Sequence, residues 1–159
     1  MTSKGFADAV IVAAGASSRM GGLDKLTETL LGRPLLQWSV DALSAAESVA
    51  RLIVVARADR VEELTAATWL RGATVVPGGD RRSDSVRAGV DAATADVVLV
   101  HDGARPLASS SLADAVARAA AEHGAAVPAV AVVDSLKRAA DGRLTDSVWR
   151  DGLVRAQTP

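Results

Sequence analysis

Apolar residues fall into short, nearly continuous runs along this chain: "ADAVIVAA" (7–14), "ARLIVVA" (50–56), "ATVVP" (73–77), "ADVVLVH" (95–101) and "AAVPAVAVV" (125–133). They are rich in β-branched residues and do not alternate with polar ones, the pattern of strands covered on both faces. Between them the spacing changes to that of a helix. "PLLQWSVDALSAAE" carries Leu35, Leu36, Trp38, Val40 and Leu43 behind Pro34, which suits a helix start. "RVEELTAATWL" puts Val61, Leu64, Ala67 and Leu70 on one stripe. "SDSVRAGVDAA" and "SLADAVARAAAEHG" follow, the second closed by Gly124 as a C-cap. Strand alternating with helix predicts an α/β fold: a mostly parallel, doubly wound (Rossmann-like) sheet flanked by helices.

Near residue 134 the alternation stops. The tail "DSLKRAADGRLTDSVWRDGLVRAQTP" has too few apolar residues to form a core, and it contains two Asp-Gly pairs. Asp151-Gly152, between "VWR" and "LVR", is the stronger signal for a two-residue hairpin turn. A projecting β-arm near the C-terminus is expected over 134–158, within a single domain spanning 1–159.

Composition narrows the function classes. The chain has 159 residues, enough for one self-sufficient core, and a net charge of −1, which offers no bulk attraction to nucleic acid or acidic membrane. No cysteine is present, so disulfides and thiolate metal sites are excluded and a reducing compartment fits. The N-terminal apolar run is too short to span a bilayer. A soluble, cytoplasmic protein without nucleic-acid or membrane partners is the expectation. His101 and His123 are too far apart to suggest a histidine-rich zinc site.

In a parallel sheet, ligands bind beyond the carboxyl ends of the strands, and four polar segments occupy such positions. The first, "AAGASSRMGGLDK" (13–25), matches neither the P-loop nor the dinucleotide glycine pattern. Its small residues still suit backbone amides of Ala14 to Ser18 facing a triphosphate, with Arg19 and Lys25 supplying charge. A plain turn with surface cations is equally compatible. In "PGGDRRSDSVRAG" (77–89), Gly78 and Gly79 permit close backbone approach, Asp80 and Ser85 offer polar recognition, and "SDSV" can start a helix. An N-capped helix after a turn explains the same residues. In "VLVHDGARP" (98–106), Asp102 just past a core strand is placed to hold a divalent cation between phosphates, and Arg105 to pair with a phosphate. "VVDSLK" brings Asp134, Ser135 and Lys137 off the last run.

Taken in order with "R…QTP", these motifs resemble the 2-C-methyl-D-erythritol 4-phosphate cytidylyltransferase family over essentially the whole chain. The resemblance implies transfer of a cytidylyl group from CTP to methylerythritol phosphate, with Mg²⁺ as cofactor. It places the phosphate loop on Ala13, Ala14, Gly15, Ser17, Arg19 and Met20, and transition-state stabilisation on Arg19 and Lys25. Cytosine reading falls on Gly79, Asp80 and Ser85, and the metal on Asp102 beside Gly103 and Arg105. Ser135, Arg150 and Thr158 match positions that hold the acceptor, the last two reaching a second subunit's site, so a homodimer through the arm is implied.

Ser17 and Gly103 replace residues more usual in the family, and both substitutions are small. The family also continues past "QTP" with an acidic segment and a second active-site lysine that this sequence does not contain. A nucleotidyltransferase domain lacking its C-terminal segment, weakly active or inactive alone, is the resulting expectation. The alternatives are a ribitol 5-phosphate-type cytidylyltransferase and an inactive nucleotide-binding or dimerisation fragment.

Overall fold

The computed structural model describes residues 5–15 and 28–158. The chain forms two compact units, the first ending at Ala126 and the second spanning Val127–Thr158.

In the first unit, strands β1 (Ala7–Ala13), β4 (Val49–Ala56), β5 (Thr74–Pro77) and β6 (Val97–Asp102) form a sheet of order β5-β4-β1-β6. Every pairing in it is parallel. All four strands match runs read from the sequence. β1 is buried at nearly every position because both faces are covered. Val10, Ile53 and Val55 form one core with Ala92 and Ala93 at the end of α3 (Arg82–Asp91). Ile11 and Val54 point the other way, into a larger core with Leu36, Val40 and Leu43 of α1 (Leu35–Ser44) and Ala113, Val116 and Ala117 of α4 (Ser110–His123). Neighbouring strand residues thus feed opposite cores, which explains why the runs are continuous rather than alternating.

Local chemistry sets the ends of these elements. Ser109 caps α4 by accepting from the Leu112 amide at 3.2 Å, and Gly124 closes it at φ 85°. The helix expected over 60–70 breaks in two: α2 (Val61–Ala66) ends where Ala67 turns extended, and a 3₁₀ turn covers Thr68–Leu70. The break lets Leu64 and Leu70 both reach the core. The sequence did not disclose a small ladder of β2 (Thr29–Leu30) and β3 (Arg33–Pro34), closed by Leu31 and Gly32 at φ 53° and 77°.

The second unit departs from the expectation for its apolar run. Residues 125–133 yield only a three-residue strand, β7 (Ala129–Ala131), fully exposed and antiparallel to β10 (Val154–Ala156) rather than part of the parallel sheet. The hairpin also forms at the other Asp-Gly pair. Asp141 and Gly142, at φ 50° and 74°, join β8 (Leu136–Ala140) to β9 (Arg143–Val148) by a two-residue turn of the I′ kind. At Asp151-Gly152 only the glycine has positive φ, and the Leu153 amide donates to the Arg150 carbonyl at 2.9 Å. That turn diverts the chain to β7 instead of folding it back on β9.

Candidate functional site at the carboxyl ends of the strands

The sheet order contains a switch point. From β1 the chain builds outward to β4 and β5, then returns across β1 to add β6 on its other side. In open parallel sheets, ligands bind beyond the carboxyl ends of the strands at such a point, here the ends of β1 and β6. The register places the strand ends level: Ala13 opposite Ala56, Ala56 opposite Pro77, and Val12 opposite Asp102.

Three of the four segments singled out in the sequence meet here. Ala13 ends β1, and Ala14 and Gly15 follow it; Ser17, Arg19, Met20 and Lys25 lie outside the described residues. Gly78 donates to the Ala56 carbonyl at 2.7 Å. A Cβ at Gly78 would overlap Ala14 and come within 2.7 Å of Ser85 Oγ, so only glycine lets the turn after β5 pack against the start of the opening loop. Ser85 is almost fully buried, and its hydroxyl accepts from the Gly79 amide at 3.2 Å. Asp80 is exposed beside it. Helix α3 is capped at Arg81, two residues before the expected "SDSV" start at Ser83: the Arg81 amide donates to the Asp84 carboxylate at 3.3 Å, and the Arg81 guanidinium beside Asp84 holds its carboxyl below the usual carboxylate range.

On the β6 side, the Gly103 amide donates to the Val12 carbonyl at 3.0 Å, extending the ladder by one residue. The Arg105 amide closes a turn onto the Asp102 carbonyl at 3.0 Å. Beneath this turn, fully buried His101 bonds Ser39 Oγ at 3.1 Å through Nε2, and Ser39 Oγ donates to the Gly103 carbonyl at 3.3 Å. His101 thus braces the turn from inside. Asp102 Oδ1 receives Arg82 Nη2 at 2.7 Å, and Oδ2 faces Arg105 Nε at 3.4 Å.

The donor set fits magnesium. Asp102 presents a hard-oxygen carboxylate that is 29% exposed, and no cluster of three or more His, Cys, Asp or Glu forms among the described residues. Magnesium is commonly held by one or two carboxylates together with substrate phosphates and water, not by an all-protein cage.

Sequence reading missed Arg82, Ser39 and Gly89. A Cβ at Gly89 would collide with Val10 and lie 2.8 Å from Val55 Cγ2, so this glycine lets α3 sit flat on the sheet. A cavity of about 220 Å³ lies on the other face, lined by Leu36, Arg57, Arg60, Leu64 and Trp69, and meets the predicted site only at Ala13.

The fourth segment belongs to the second unit. Ser135 immediately precedes β8, and Arg150 Nη1 donates to the Val133 carbonyl, bringing its guanidinium back to the strand exit that carries Ser135. The Thr158 hydroxyl is shielded from water without a hydrogen-bond partner among the described residues.

Comparison with known proteins identifies the family and the fold. The family described as 2-C-methyl-D-erythritol 4-phosphate cytidylyltransferase matches residues 7–159. A bifunctional enzyme IspD/IspF of Rhodospirillum rubrum is 43% identical over 157 residues, covering 95% of this chain and 41% of that protein. A 2-C-methyl-D-erythritol 4-phosphate cytidylyltransferase of Frankia casuarinae is 41% identical, covering 95% of this chain and 58% of that protein. The chain therefore spans well under two-thirds of the length of both relatives. A solved 4-diphosphocytidyl-2C-methyl-D-erythritol synthase of Anaerococcus prevotii superposes with a TM-score of 0.80 at 27% identity, covering 99% of this chain and 70% of that one. By sequence and by fold, this chain belongs to the 2-C-methyl-D-erythritol 4-phosphate cytidylyltransferase family.

Proposed function

We propose that this chain carries the transfer of a cytidylyl group from CTP to 2-C-methyl-D-erythritol 4-phosphate, releasing pyrophosphate. The observation that carries the reading is the placement of Asp102 opposite Val12 at the switch point, tied by Arg82 to the turn that holds Gly79 and Ser85. An acidic residue on the far edge of the sheet could not have faced the loop leaving β1.

In this reading a phosphate oxygen of the acceptor attacks the α-phosphorus of CTP. The new P–O bond forms as the bond to pyrophosphate breaks, and the leaving group carries away the electron pair. A phosphate monoester is already nucleophilic near neutral pH, so the residues position two anions and neutralise charge at the α-phosphorus. Backbone amides of Ala14 and Gly15 with Ser17 and Met20 line the phosphates, and Arg19 and Lys25 stabilise the pentacoordinate transition state. Gly79, Asp80 and Ser85 read the cytosine edge, and Gly103 and Arg105 complete the wall beside Asp102. When bound at Asp102, Mg²⁺ supplies positive charge that offsets the departing pyrophosphate.

Ser135, Arg150 and Thr158 hold the acceptor, and the two units act as one nucleotidyltransferase domain. Residues 134–158 serve as the arm of a homodimer, a reading supported by the exposure of Leu144 and Trp149. A cytoplasmic setting accords with the absence of cysteine, and no helix among the described residues is long and apolar enough to cross a membrane.

The test is pyrophosphate release from CTP and Mg²⁺ with each acceptor. Release with methylerythritol phosphate is expected; release only with ribitol 5-phosphate, or CTP binding without release, overturns the assignment. Lys25→Ala is expected to lower kcat about 100-fold or more while changing CTP affinity little, because its charge matters most in the transition state. Loss of CTP affinity alone would remove Lys25 from that role.

A further inference from the structure

We propose that Arg82 is a positioning residue that keeps Asp102 from a bare metal ion until nucleotide arrives, so that metal and nucleotide bind together. The inference rests on the reading of Asp102 as the metal-bearing carboxylate. Arg82 is the first residue of α3, yet its guanidinium reaches across to β6 and donates to Asp102 Oδ1 at 2.7 Å. Arg105 Nε stands 3.4 Å from Oδ2, so both oxygens face a guanidinium.

The three charges sum to +1. A free dication approaching the carboxylate meets a net positive field and finds each oxygen engaged. A triphosphate meets two guanidiniums, whose planar donor forks match phosphate oxygens at two points. Movement of Arg82 from Asp102 onto the phosphates frees Oδ1 for the metal that the triphosphate carries. Arg82 also sits in the first turn of α3, three residues before Ser85, whose hydroxyl holds the Gly79 amide. The turn assigned to base reading and the carboxylate assigned to the metal are thereby mechanically joined. Arg82 is 60% exposed, so the exchange requires no unpacking of the core.

The experiment titrates Mn²⁺ into nucleotide-free full-length protein and follows free Mn²⁺ by electron paramagnetic resonance. Arg82→Gln is expected to tighten Mn²⁺ binding about two- to five-fold, the scale of one exposed ion pair, while Arg82→Lys, which keeps the charge, stays near wild type. CTP should strengthen Mn²⁺ binding by a smaller factor in Arg82→Gln than in wild type, because the competing contact is already gone. Adding Asp102→Asn to Arg82→Gln should abolish the gain. Unchanged or weaker Mn²⁺ binding in Arg82→Gln overturns the proposal, as does a gain that survives in the double variant. The titration needs no acceptor and no turnover. Absence of pyrophosphate release by the wild type therefore overturns the proposed activity separately from the role of Arg82.

Discussion

In β1, six of seven residues are buried, whereas every residue of β7 and β10 is exposed. Both kinds of strand come from alanine- and valine-rich sequence, so composition does not explain the difference. β1 lies between β4 and β6 with helices over both faces, and burial of its side chains stabilises the unit. In the second unit, backbone pairing does most of the work: β8 with β9, β7 with β10, and the Gln157 amide to the Pro128 carbonyl at 2.8 Å. A unit held that way leaves Trp149 87% and Val133 70% exposed.

The contrast can be broken by mutation. The largest effect is expected for Ile53→Ala, which empties a fully buried site beneath α3 and should cost about 2–5 kcal/mol of unfolding free energy, read from urea denaturation. A shift below about 1 kcal/mol would mean that this face of the sheet is not a tight core.

Trp149→Ala comes next and should act on association instead. If the arm forms the proposed homodimer, weakening of that dimer by about 30-fold, near 2 kcal/mol, is expected by analytical ultracentrifugation, with the stability of the first unit unchanged. Unaltered self-association would remove this face from the interface.

Asp114→Asn should have a smaller effect, confined to one side of the pH scale. Burial pushes the Asp114 carboxyl up, but hydrogen bonds from the Ser48 hydroxyl and amide and the Glu47 amide outweigh it, and the net shift is below the ordinary value of 3.8. The unfolded chain then binds a proton before the folded one does. The stabilisation is present above pH 3.8 and lost as pH falls through the folded value. Asp114→Asn should cost about 1 kcal/mol near neutrality and flatten the acid limb of the stability curve. An unchanged acid limb would count against these bonds. The smallest effect is expected for exposed Leu144→Ala in β9, within about 0.5 kcal/mol by the same urea measurement. A loss comparable to that of Ile53→Ala would mean the second unit has a core after all.

Legibility followed burial. β1, β4, β5 and β6 could be read because helices on both sides of the sheet require continuous apolar runs, and the run carries the signal. Residues 125–133 carry the same signal without the same outcome, because a run records side-chain character and not which layer covers it. The two Asp-Gly pairs show the same limit. Each permits a tight turn, yet only Asp141-Gly142 has strands on both sides that pair with each other. Within the site, Asp102 was legible as the acidic residue closing a core strand, and Gly78 as a small residue beside the turn. Arg82 was not, since its partner lies 20 residues away and Arg81 beside it looks identical in sequence.

Local pattern was sufficient to specify an α/β chain, the strands that carry its core, and the residue types that gather where those strands end. Burial preference and backbone dihedrals act over a few neighbouring residues, so they are written in short stretches. Strand order, the level ends of β1 and β6, and the grip of two arginines on Asp102 arise from contacts between distant segments. They became determinate only when the sheet set its register, because a charge pair depends on where two side chains meet and not on either residue alone.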